Sequence, residues 1–183
     1  MTIRKTRLPG VLVIEPRRFG DSRGFFQEVY HAGRYREAGI DVSFVQDNLS
    51  RSVHGTLRGL HFQAPPHAQA KLVQVLEGEV FDVAVDLRHD SPTFGEWIGE
   101  KLSAHNGRQM FVPEGFAHGF CVTSESALFA YKCSSLYAPD SEGAIRWDDP
   151  QIGILWPVAE PLVSTKDQNA LPWADIADSI PFA

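Results

Sequence analysis

A chain of 183 residues that is 43% hydrophobic carries enough apolar material for one core, and its length fits a single domain, 1–183. Its formal net charge of −6 argues against a nucleic-acid-binding surface, which needs a basic face. The opening run MTIRKTRLPGVLVIEP is too short, and too broken by Pro9 and Gly10, for a signal peptide or a membrane span. A cytoplasmic protein that neither crosses nor binds a membrane is therefore expected. Val11–Pro16, Gly24–Tyr30 and Ser43–Ser50 are short β-type runs bounded by Gly, Asp and Ser. His31–Gly39 reads as one short amphipathic helix. Lys71–Leu87 reads as two alternating strands joined across Glu77-Gly78-Glu79. In its second half Phe81, Val83 and Val85 alternate with Asp82, Ala84 and Asp86, which predicts one apolar face and one polar face. EWIGEKL, QMFVP, HGFCVTS and ALFAYKCSSL follow as further short strands. Cys121 and Cys133 lie in the last two, too few for a disulfide framework, and read as buried free thiols. From Asp148 onward, Pro, Trp and Asp predict loops and short helices packed over the strands. Many short strands at intervals of about ten residues predict a mainly β sandwich or barrel rather than βαβ units.

Two spacings carry chemistry. The segment GRQMFVPEGFAHGF sets Gly107, Pro113, Gly115 and His118 at fixed intervals, with Pro113-Glu114-Gly115 as a tight turn between apolar runs. Upstream, Gly55, His61 and Gly78 frame a second pattern. Together these resemble the two signature motifs of the cupins, β-barrels of the double-stranded β-helix or jelly-roll type that usually hold a metal through histidines. Here Gln63 stands at the second histidine position and Lys71 at the glutamate position. An ammonium offers donors and no lone pair, so the donor set speaks against a metal. His61 and His118 are expected to point inward, and Arg58 beside them in GTLRGLH calls for an anionic ligand.

Seven ordered motifs make the resemblance specific: DSRGFFQE, QDNLSRS, TLRGLHFQ, AKLVQVLEGEVFDVAVDLR, PEGFAHGF, LFAYKC and RWDDPQIGILWP. They resemble the dTDP-4-dehydrorhamnose 3,5-epimerase family, metal-free cupins that act on a dTDP-sugar bearing a C-4 ketone without a cofactor. The resemblance implies His61 as base with Asp167 as its partner, Lys71 as oxyanion stabiliser and Tyr131 as acid on the opposite face. It also implies substrate contacts from Arg23, Arg58 and Lys166 to phosphate, and from Glu28, Gln46, Asp47 and Asn48 to the pyrimidine. Tyr137 would stack on the base, although Leu136 precedes it where relatives often carry another aromatic. Glu142 is a further binding position, and His118 positions the sugar. Asp82 is a weaker candidate near the site. His67, in a Pro-rich loop, reads as exposed. A homodimer with pocket contacts from the second subunit is implied as well. Three other readings remain open. One is an epimerase acting at C-3 or C-5 alone. The others are a metal-dependent cupin enzyme and a cupin that binds the sugar nucleotide without turning it over.

Overall fold

The structure is a computed structural model, described over residues 1–182. Two sheets face each other. The first has the order β1 (Thr2–Lys5), β2 (Leu12–Glu15), β10 (Gln109–Val112), β7 (Lys71–Glu77), β12 (Ser126–Cys133) and β5 (Gln46–Val53). The second runs β13 (Glu142–Ala144), β6 (Thr56–Gln63), β11 (Phe116–Val122), β8 (Glu79–Asp86) and β9 (Trp97–Ser103), with β14 (Leu162–Val163) added in parallel to β6. A separate hairpin pairs β3 (Arg18–Asp21) with β4 (Gly24–Gln27). Among the described residues there are three short α-helices, α1 (Ala32–Glu37), α2 (Thr165–Gln168) and α3 (Trp173–Ile176), and single 3-10 turns at Pro139–Ser141 and Ala177–Ser179. Among the described residues no helix is long and apolar enough to cross a membrane.

The strand signals reappear with small shifts of boundary. Gly78, at φ +76°, turns β7 into β8 as its position suggested, and Gly115, at φ +83°, turns β10 into β11. The predicted helix forms as α1, capped by the His31 ring, which accepts from Arg34 N. Gly24–Tyr30 is a strand only to Gln27, because its sole partner is the four-residue β3.

One expectation is corrected. The face of β8 bearing Asp82 and Asp86 is not solvated, since both carboxylates are fully buried. Val80 and Ala84 belong to the core between the sheets, together with Val73, Val75, Phe120 and Phe129. Phe81, Val83 and Val85 face the other way and pack against Ile145, Ile152, Ile180 and Phe182. Both faces of the sheet are covered, so alternation in β8 separates two interiors rather than interior from water. The loops and helices after Asp148 supply that second cover, as composition predicted. Ile180 and Phe182 are 5% and 8% exposed, a burial that contributes about 1.5–3 kcal/mol per side chain. Cys121 and Cys133 are free and buried.

Candidate active site

Between the sheets lies a cavity of about 310 Å³. Neighbouring strands of both sheets deliver side chains to it, because residues two apart share a face. From the first sheet come Lys71 on β7, Tyr131 and Phe129 on β12, and Ser50 on β5. From the second come Arg58 and His61 on β6, with His118 and Phe120 on β11. Helix α2 and its cap close the mouth with Ser164, Lys166 and Asp167. His61 and His118 are direct partners in the β6–β11 register, so both point inward as expected.

His61 Nε2 lies 2.6 Å from Asp167 Oδ1. With Nε2–H donating to the carboxylate, the lone pair of the neutral ring sits on Nδ1. Asp167 is fixed from two further sides. Ser164 Oγ caps its backbone N–H at 3.1 Å, and Gly59 N donates to Oδ2 at 3.4 Å. Gly59 has to be glycine: φ is +137°, and a Cβ there would stand 2.6 Å from Gly119 Cα. The β6–β11 register shifts between His118 and Phe120, a bulge at the point where the two glycines meet. Burial alone would push the Asp167 carboxyl up. The hydrogen bond and charge of His61, with the Gly59 N–H, outweigh it and hold Asp167 below the ordinary carboxylate value.

Burial pushes the Lys71 ammonium below its ordinary value, offset in part by Cys133, Asp82 and Glu142. The half-buried Lys71 side chain has no direct ion-pair partner among the described residues. Burial raises the Tyr131 phenol, which is therefore protonated at neutral pH. His118 Nε2 lies 3.0 Å from both oxygens of Asp82. Asp82, which alternation alone places only on a polar face, is thus an inward carboxylate whose pKa burial raises while His118 and Lys71 pull it back.

A smaller recess of about 100 Å³ adjoins the cavity and shares His61, Lys71 and Tyr131 with it. It adds Gln46, Asn48, Tyr137 and Glu142. Tyr137 Oη donates to Glu142 Oε2 at 3.0 Å, and Lys166 Nζ donates to the same oxygen at 2.5 Å. Gln63 braces this recess, because its amide holds the backbone of His67, Leu136 and Ala138 and so presents Tyr137. Its importance showed in the sequence only as a missing histidine. Leu136 is exposed, as is His67 in its loop.

Three sequence candidates lie elsewhere in this chain. Asp47 follows the period of two and points outward, where it accepts from Lys132 Nζ at 2.9 and 3.0 Å. Arg23 sits on the β3–β4 hairpin with 87% of its side chain exposed, paired to Asp21 at 2.6 Å. Glu28 is bound to Arg34 and lines a different depression, with Phe19 and Phe26.

The family profile described as dTDP-4-dehydrorhamnose 3,5-epimerase matches residues 5–175. The chain belongs to that family. A dTDP-4-dehydrorhamnose 3,5-epimerase of Pseudomonas aeruginosa is 55% identical, covering 99% of this chain and 100% of its own. A solved dTDP-6-deoxy-D-glucose-3,5-epimerase of Legionella pneumophila, in complex with dTDP-4-keto-L-rhamnose, is 51% identical. It superposes with a TM-score of 0.95 over 100% of this chain and 98% of that one. A dTDP-4-dehydrorhamnose 3-epimerase of Streptomyces niveus is 42% identical over 98% of this chain and 87% of its own. The two facing sheets are the cupin-type β fold of this epimerase family, as the motif spacings implied.

Proposed function

We propose that this protein inverts C-3 and C-5 of dTDP-4-keto-6-deoxy-D-glucose, giving dTDP-4-keto-L-rhamnose. The observation that carries the reading is the opposition across one cavity of the His61–Asp167 pair and the Tyr131 phenol, with the Lys71 ammonium beside them. The C-4 ketone acidifies the hydrogens at C-3 and C-5. His61 Nδ1 takes one of them, and the C–H electron pair moves to the C-4 oxygen. Lys71 Nζ holds the enolate oxygen, a cation placed where charge develops. Tyr131 then gives its proton to the opposite face of the same carbon, and the electron pair returns from oxygen to form the new C–H bond. The imidazolium and phenolate left behind are reset by proton exchange with solvent. Asp167 sets the tautomer of His61 and stabilises its charged form. His118, held by Asp82, positions the sugar.

Arg58 and Lys166 at the mouth suit the diphosphate, and the recess of Gln46, Asn48, Tyr137 and Glu142 suits the thymine end. No metal or cofactor enters this scheme. The Lys71 ammonium occupies a ligand position, and Gln63 spends its amide on the loop. A single-carbon epimerase is the second reading, favoured by the name of the Streptomyces niveus relative. Incubation with the 4-keto sugar in deuterated water decides: exchange at C-3 and C-5 with rhamnose-series product supports the first reading, exchange at one carbon the second. Binding without exchange refutes both.

We further propose a cytoplasmic homodimer in which the β3–β4 hairpin reaches the partner's cavity. Phe19, Phe25 and Phe26 on this hairpin are 50%, 62% and 68% exposed, and Arg23 lines a depression on the hairpin rather than its own cavity. Mixing the Arg23→Ala and His61→Ala variants should then restore activity, since one hybrid cavity regains both residues. Activity no higher than the sum of the separate variants would refute this arrangement.

A further inference from the structure

Ser50 Oγ is the one buried side-chain polar atom among the described residues that has no hydrogen-bond partner. It lines the cavity that holds His61, Lys71 and Tyr131. A hydroxyl carries one donor and two acceptor sites, and leaving all of them unmet inside a protein is costly. Its inward neighbours along β5 are each engaged: Gln46 and Asn48 bond to each other at 3.1 Å, and Ser52 accepts from Arg58 Nε at 3.1 Å. Ser50 is therefore the exception in a row whose other members are occupied.

Its place is well defined. Ser50 stands directly opposite Phe129 in the β5–β12 register, while Asn48 stands opposite Tyr131. That puts Ser50 one diagonal step, about 7–8 Å between Cα atoms, from the phenol-bearing residue and on the same face. Phe129 stacks on Phe120 with ring centroids 4.2 Å apart, so the wall beside the hydroxyl is apolar and supplies no donor or acceptor. Ser50 also stands outside the recess that contains Tyr137 and Glu142, and so outside the region suited to the base.

We propose that Ser50 is a substrate contact. Its hydroxyl hydrogen-bonds an oxygen of the hexose ring on the Tyr131 side of the cavity and fixes the ring's distance from the phenol. The inference rests on the epimerase reading above and adds to it a group that meets the sugar rather than the nucleotide. The vacant hydrogen-bonding capacity is matched by a ligand rich in hydroxyls and by nothing in the chain itself. Removing the hydroxyl then has opposite effects on the free protein and on turnover: the free protein loses an unmet polar group, and the complex loses a bond.

The test is Ser50→Ala beside the wild type, with three readouts: melting temperature, dTDP affinity, and kcat/KM on dTDP-4-keto-6-deoxyglucose. The expected result is an unchanged melting temperature or a rise of about 2–4 °C. The dTDP dissociation constant should stay within about twofold, and kcat/KM should fall about 10- to 100-fold. Ser50→Cys, which nearly keeps the volume with a weaker donor, should fall between the two. A folded Ser50→Ala protein with wild-type kcat/KM overturns the inference. So does a melting temperature several degrees lower, because the hydroxyl would then be serving the fold. If the wild type itself shows no exchange while binding dTDP, the epimerase reading falls first, and that outcome is separate from a difference between variants.

Discussion

Replacing Asp167 by Asn keeps the shape of the side chain and removes its charge. The carboxylate lies 2.6 Å from His61 Nε2, with its side chain 4% exposed and that of His61 29%, so solvent screens the pair only in part. When His61 holds the abstracted proton, unit charges about 4 Å apart at an effective dielectric near 20 attract by about 4 kcal/mol. At 1.36 kcal/mol per decade, that is a fall in kcat of about 1000-fold. The dTDP dissociation constant should stay within about threefold, because nothing in the proposed base or phosphate contacts changes. Initial rates of deuterium uptake at C-3 and C-5, with dTDP titrations on the same samples, measure both. A kcat loss under tenfold in a folded protein, or an equal loss in dTDP affinity, refutes the role given to Asp167. The sign of the stability effect also follows. Asp167 has its folded pKa below the ordinary 3.8, so its carboxylate contributes stability that is fully present above that value. The contribution disappears as pH falls through the lower folded value. The gap in stability between wild type and Asp167→Asn should therefore be constant near neutrality and close in acid below about pH 4.

Lys71→Met should lower kcat about 100- to 1000-fold with dTDP affinity kept. Because burial disfavours the ammonium, the melting temperature should hold or rise, and matched losses in rate and dTDP affinity would contradict the oxyanion role. Tyr131→Phe should still exchange hydrogen through His61 but lose net inversion by about 100- to 10,000-fold, seen as deuterium gained without change of configuration. Asp47→Ala should leave dTDP affinity within about twofold, and Asn48→Ala should weaken it about tenfold, in line with their opposite faces on β5.

The fold was legible where glycine and proline punctuate apolar runs. Gly78 and Gly115 mark two turns by residue type alone, and the β-rich class follows from them and their neighbours. What alternation left hidden was which side of β8 faces solvent, because neither does. Period two shows that Asp82 and Phe81 part company, and it is silent on the C-terminal segment that covers the second face. Within the cavity, His61, Lys71 and His118 are readable from motif spacing, and Tyr131 and Asp167 only through the family resemblance. Asp47 was carried along with its neighbours although its side chain turns outward. Arg23 and Glu28 matched their motif and yet lie away from this chain's own cavity. Gln63 shows only as a missing histidine, since it acts by holding a loop, and Ser50 gives no signal, since it is marked only by lacking a partner.

The proposed base His61 and its partner Asp167 are 106 residues apart, and Asp167 sits on a four-residue helix made after every strand of the first sheet. During synthesis the strands through β12 can close over their core before Asp167 has been added. The contact between His61 and Asp167 can therefore form only after the whole of that sheet has been synthesised. The His61–Asp167 contact thus ties a short helix near the end of the chain to a strand made 106 residues earlier.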